Sequence, residues 1–176
     1  MRSHVLPFTC CYSWNNATNS FALIIAFELG TVVDSLYQDQ LLALAKLART
    51  APSIVTATHH AEAKNPVCGD HIVAQICVEG AQITSAGIKA KGCALCEAGA
   101  GLWLETVIGR SITELPLLYQ SLDDWLTTDD NTSPLQSSFK KLPAENLTAF
   151  LPVRAIKNRH KCVTLAFATA EKFQPV

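Results

Sequence analysis

Charge is scarce in this sequence, and so are long apolar runs and methionine. Only 16% of the 176 residues are charged, 14 basic against 15 acidic, for a formal net charge of −1. No basic stripe appears, which excludes electrostatic binding to a nucleic-acid backbone. No apolar stretch reaches the roughly 18 residues of a membrane-spanning helix, so no membrane segment is expected. No internal repeat or low-complexity block stands out. An even cysteine framework is also missing. Seven thiols do not make the paired set of a small secreted scaffold, so the cysteines read as reduced and the protein as cytoplasmic. Sequons at Asn15, Asn131 and Asn146 arise too often by chance to argue for secretion.

What is present is apolar mass. A hydrophobic fraction of 49% supplies a core for one domain, read as residues 31–176, with a poorly defined N-terminal extension over 1–30. Phe21 to Phe27 is apolar but lacks the length and cleavage site of a signal peptide. The first thirty residues read as a loosely packed extension, or as sequence ahead of a later start. Met1 is the sole methionine, so such a start would use a non-ATG codon at Val32 or Val33.

Periodicity outlines the elements. Asp34 caps a helix to about Arg49, with Val33, Tyr37, Leu41, Leu44 and Ala48 as its apolar stripe, and Pro52 ends it. Strands are expected over Ser53–His59, His71–Val78 and Gln82–Lys89, with Glu79-Gly80 as a turn. Cys93–Ile108 has helical spacing, and close packing against the sheet explains why Gly99 and Gly101 are tolerated. Ser111-Ile112-Thr113-Glu114 has the form of a capping box opening a helix to Leu126. Residues 127–138 form a polar loop, a short helix covers Ala144–Phe150, and a last helix runs from Asn158 to Phe173. The expected fold is α+β: a three-stranded antiparallel sheet with helices packed mainly on one face. Trp103 and Trp125 read as core.

Three cysteines stand in distinctive frames: Asn65-Pro66-Val67-Cys68-Gly69-Asp70, Gly92-Cys93-Ala94-Leu95-Cys96 and Arg159-His160-Lys161-Cys162. Three thiols and a carboxylate on separate segments can converge into one four-ligand site, and a thiolate is both soft metal ligand and sulfur nucleophile. Cys93 and Cys162 fall near expected helix N-termini, where partial positive charge favours thiolate. Taken singly, each thiol reads equally well as a small buried hydrophobe. Asp70 also reads as a turn cap, and His160 as a surface side chain. Cys10, Cys11 and Cys77 have no frame and are bystanders; His59 and His60 read as a solvated loop, and strand alternation points His71 away from Asp70.

Together the three frames resemble the NifU/IscU-type iron–sulfur cluster assembly scaffold family. Asn-Pro-Val-Cys-Gly-Asp at 65–70 is similar to its first signature, Gly-Cys-Ala-Leu at 92–95 to its second, and Lys-Cys-Val-Thr-Leu-Ala at 161–166 to its third. The spacing of the first two cysteines (93 − 68 = 25) also fits. The resemblance implies Cys68, Asp70, Cys93 and Cys162 as cluster or metal ligands, with Cys96 and His160 as accessory candidates. It implies a scaffold, not an enzyme, that accepts sulfur and iron and passes on a transient [2Fe–2S] cluster. Its partners would be a cysteine desulfurase, an iron donor and recipient apo or carrier proteins, with Cys162 or Cys68 taking the persulfide. Lys161 rather than histidine precedes the last cysteine, Leu151-Pro152-Val153-Arg154 only faintly resembles a chaperone motif, and the Cys93–Cys162 gap is long. These departures favour the SufU-like branch and argue against a dedicated Hsp70 partner. They keep a second reading open, a zinc-bound sulfurtransferase with Zn²⁺ on the same four residues.

Overall fold

The computed structural model describes residues 37–128 and 142–176, all within the compact unit Leu36–Val176. The expected cap at Asp34, most of the 127–138 loop and the N-terminal extension lie outside the described residues. Helix α1 covers 37–50. Three strands follow: β1 (His59–Lys64), β2 (His71–Glu79) and β3 (Gln82–Lys91). Then come α2 (Ala94–Val107), a 3-10 turn over Ile112–Glu114 and α3 (Leu115–Thr127). After the loop, α4 (Ala144–Leu147) continues into a 3-10 stretch over Thr148–Ala155, and α5 (His160–Thr164) closes the helical part.

The sheet has four strands, not three. A short β4 (Gln174–Pro175) pairs antiparallel with the outer edge of β1, giving the order β3-β2-β1-β4. Two residues are too few to show a period of two, and Pro175 sits on an edge, where its missing N–H costs no ladder bond. The first strand also begins later than the apolar pattern indicated. His59–Lys64 contains no β-branched residue, yet Ala61 and Ala63 point inward against β2 while Glu62 and Lys64 face out. Segment 51–58 instead crosses β3, where a Cβ on Gly87 would stand 2.6 Å from the Pro52 carbonyl oxygen.

One face of the sheet is sealed. Ile72, Ala74 and Ile76 are buried while their neighbours along β2 remain half-exposed, the alternation expected of a sheet covered on one side. Helix α2 packs on β3, α3 packs in turn on α5, and the core so formed includes Leu102, Trp103, Leu118, Leu122, Trp125, Phe150 and Phe167. The two glycines of α2 serve helix contacts rather than sheet contacts. A Cβ on Gly99 would stand 2.2 Å from the Val163 carbonyl of α5, and one on Gly101 would stand 2.0 Å from the Leu44 carbonyl of α1. The capping box forms as read: Ser111 Oγ accepts from the Thr113 N–H, and Glu114 Oε2 accepts from the Ser111 N–H.

The last helix is broken. Beyond Thr164 the chain passes through a 3-10 turn, Phe167–Thr169. There Thr169 Oγ1 donates to the Ala166 carbonyl at 2.6 Å, a back-bond that bends helices. Phe173 then stacks on Trp103 with ring centroids 6.3 Å apart. No helix among the described residues is long and apolar enough to cross a membrane.

Candidate functional site

The site begins with a tight turn joining β1 to β2. The Asn65 N–H donates to the Asp70 carbonyl at 2.8 Å, and the Gly69 N–H donates to the Asn65 carbonyl at 2.9 Å. Asn65 Oδ1 also accepts from the Val67 N–H at 3.1 Å, a side chain mimicking a backbone turn. Gly69 has φ +75°, a left-handed conformation that favours glycine. This geometry lifts Cys68 to the exposed crest and turns Asp70 inward, where it is 2% exposed.

Asp70 is the hub. Its Oδ2 accepts from the Cys68 thiol at 2.8 Å and from the Cys93 thiol at 3.8 Å, and its Oδ1 accepts from the Cys93 backbone N–H at 3.1 Å. Gly92 makes this possible, since a Cβ there would stand 2.4 Å from Asp70 Oδ1. Burial pushes the Asp70 carboxyl up, but hydrogen bonds from Cys68, Cys162 and Cys93 outweigh it, and the net pKa is lowered.

Cys162 arrives from α5 and places its Sγ 3.6 Å from Cys68 Sγ. The ligand atoms of Cys68, Asp70 and Cys162 all lie within 4.8 Å of one another. Cys93 stands at the rim of this group, joined to it through Asp70. Thus the two frames expected to hold Cys68 and Asp70 with Cys162 do meet, and the Cys93 frame borders them. The five described cysteines are free thiols.

The electrostatics of Cys162 reverse one expectation. Its thiol pKa is pushed up, first by burial and then by hydrogen bonding to Asp70 and Cys68, so the helix start does not make it an acidic thiol. α5 has only five residues, too short a dipole to offset a 1% exposed position. Cys96 is likewise buried, packed in the hydrophobic core, and burial with nearby negative charges raises its pKa to about 12.

His160 is buried and turned to another task. Its Nε2 lies 3.1 Å from the Val153 carbonyl and 3.0 Å from that of Arg154. Two acceptors on one nitrogen require a proton there, so His160 ties the Thr148–Ala155 stretch to α5 instead of reaching the thiols. His71, expected to point away from Asp70, is partly buried and pairs with Glu62 at 2.5 Å. Asn65 is the residue that sequence reasoning passed over. It is 5% exposed and brings its Nδ2 to 4.0 Å from Cys162 Sγ. Its place at the head of the first frame was the available signal, but its role depends on a residue far away in sequence.

Comparison with known proteins begins with the segment that carries Cys68, Asp70 and Cys93. Residues 36–127 match the family model described as NifU-like N terminal domain. The iron–sulfur cluster assembly scaffold protein IscU of Thermotoga maritima is 26% identical over 141 residues, 80% of this chain and 94% of that protein. Among solved structures, the N-terminal NifU-like protein of Brucella abortus superposes with TM-score 0.64 at 22% identity, covering 80% of this chain and 93% of that one. A putative iron–sulfur cluster assembly scaffold for the SUF system from Fervidobacterium islandicum gives TM-score 0.62 at 21% identity, covering 75% and 91%. At these identities the structural matches speak for the fold.

Proposed function

This chain belongs to the family of NifU-like N-terminal domains, and from that premise we propose that it is a scaffold for iron–sulfur cluster assembly. Cys68, Asp70, Cys93 and Cys162 hold the cluster as cargo, within a scaffold domain taken as residues 31–176. The observation that carries this reading is the meeting of two thiols and a carboxylate within 4.8 Å, from segments 94 residues apart, with a third thiol 3.8 Å from the same carboxylate.

Sulfur enters at Cys68. It is exposed whereas Cys162 is buried with a raised pKa, and attack requires both access and thiolate. The Cys68 thiolate attacks the outer sulfur of a desulfurase persulfide, the sulfur–sulfur bond breaks, and the desulfurase thiolate leaves. Two electrons from a thiol reductant, itself oxidised to a disulfide, then break the Cys68 sulfur–sulfur bond, which returns the Cys68 thiolate and delivers sulfide to iron. Each cysteine binds metal as thiolate, so loading releases the protons that now bridge to Asp70. Asp70 is the hard oxygen ligand among soft sulfurs and therefore the point of release to a recipient protein. An iron donor and apo-protein recipients complete the partner set.

A zinc-bound sulfurtransferase is the second reading. Zinc–sulfur and zinc–oxygen bonds of about 2.0–2.3 Å set ligand separations of roughly 3.5 Å in a tetrahedron. The Cys68–Cys162 and Cys93–Asp70 separations of 3.6 and 3.8 Å suit that size. Anaerobic incubation with ferrous iron, cysteine and a desulfurase separates the two. Equal iron and labile sulfide, absent in Cys68→Ala, is the scaffold result. Tightly held zinc, no cluster, and persulfide on one cysteine would replace it with the sulfur-transfer reading.

A further inference from the structure

Cys68 and Cys162 form an unequal pair. Cys68 stands exposed on the crest of the β1–β2 turn, and Cys162 is buried on α5, yet their sulfurs are 3.6 Å apart. Reacting atoms held for attack are typically about 3–3.5 Å apart, so the two sulfurs are close to that arrangement. Asn65 holds the buried partner in place. Its Nδ2 lies 4.0 Å from Cys162 Sγ while its Oδ1 accepts from the Val67 N–H, which ties Cys162 to the turn that carries Cys68.

The other described thiols are placed differently. Cys93 meets the group only through Asp70, 3.8 Å from its Oδ2. Cys96 is packed in the core, and Cys77 donates to the Thr56 carbonyl at 3.3 Å. Cys162 is therefore the thiol that stands against Cys68 Sγ itself. A dissolved electrophile reaches Cys68 and not Cys162, whereas a persulfide carried by Cys68 has its inner sulfur beside Cys162.

We propose that Cys68 and Cys162 form an internal redox pair, which discharges a persulfide from Cys68 as hydrosulfide whenever no metal ion holds Cys162. The proposal rests on the reading above that sulfur enters at Cys68. Cys162 Sγ gives up its proton and attacks Cys68 Sγ. The bond from Cys68 Sγ to the outer sulfur breaks, and that sulfur leaves with the proton as hydrosulfide. A Cys68–Cys162 disulfide remains, so the two cysteines end oxidised and the delivered sulfur ends reduced to sulfide. A dithiol reductant then attacks the exposed Cys68 sulfur, is itself oxidised to a disulfide, and restores both thiols. A metal ion on Cys162 occupies the attacking sulfur, and the persulfide then waits for the external reductant. The site thus keeps sulfur only after metal has entered, and in its oxidised form it lacks two of the proposed ligands.

The test uses the full chain under anaerobic conditions, with zinc as the metal probe. A bead-bound cysteine desulfurase and limiting cysteine load sulfur onto metal-free and zinc-loaded protein, the beads are removed, and no reductant is added. Free sulfide is assayed and alkylated peptides are mapped by mass. Metal-free wild type should release about one hydrosulfide per persulfide accepted and gain the Cys68–Cys162 disulfide. Zinc should slow that release about tenfold or more. Cys162→Ser and Cys162→Ala should accept sulfur and hold it without zinc until dithiothreitol frees it, while Cys96→Ser should discharge it as wild type does. A persulfide that stays on metal-free wild type, or a disulfide that joins any other pair, would overturn the redox pair and leave the scaffold reading standing. Failure of Cys68 to accept sulfur at all would instead sink the reading of sulfur entry beneath it.

Discussion

A single carboxylate organises the site. Asp70 is held by two thiols and a backbone N–H, and it keeps its place because residue 92 has no side chain. Gly92→Ala would drive a methyl into Oδ1. Metal affinity should fall about 10–100-fold, the usual effect of disturbing the groups that orient a ligand, as read by cobalt or zinc titration. Gly69→Ala meets open space and should cost only the left-handed backbone strain, about 1–2 kcal/mol, with affinity largely kept. Asp70→Ala is expected to lengthen the lifetime of a reconstituted cluster by removing its weakest ligand, followed by loss of visible absorption on transfer to an apo-ferredoxin; faster decay would contradict the assigned role. The three cysteines were legible because each lies in its own short frame. Asn65 and His160 were not, since their partners, a sulfur and two backbone carbonyls, come together only through tertiary structure. The acidity expected of Cys162 failed for a related reason: burial outweighed its place near a helix start.

Helix α2 is the element on which the site is built. It begins beside Cys93, and at Gly99 it approaches the backbone of α5, which carries Cys162. Gly101 makes the equivalent approach to α1. Alanine at either position should destabilise the fold by about 1–3 kcal/mol through overpacking. Only Gly99→Ala should also weaken metal binding, because it displaces the segment bearing Cys162, a proposed ligand. Thermal unfolding with a parallel metal titration separates the two effects, and equal affinity loss in both variants would deny α5 this role. Periodicity located β2 and α3 well, for each has a buried stripe, and spacing located β3 and α2, the latter buried on nearly every side. It misplaced the first strand because His59–Lys64 owes its form to pairing with β2, and it overextended the last helix because Thr169 turns its hydroxyl onto the backbone. β4 was invisible at two residues.

At the scale of the molecule, most of the core stands apart from the site, although Cys162 belongs to both. Trp103, Trp125, Phe150, Phe167 and the β2 isoleucines are buried, and none of them belongs to the thiol–carboxylate group. The metal-free protein should therefore stay folded. Chelation should lower its thermal midpoint only by the binding term, about 2.7 kcal/mol at a hundredfold excess of metal over Kd. Loss of near-ultraviolet dichroism on adding chelator would instead mark a structural metal module. The same separation has a consequence in time. Cys68, Asp70 and Cys93 leave the ribosome early, whereas Cys162 is 94 residues behind Cys68, about 5–20 seconds at ordinary rates of synthesis. A nascent chain therefore presents the proposed site without Cys162 until α5 has been made.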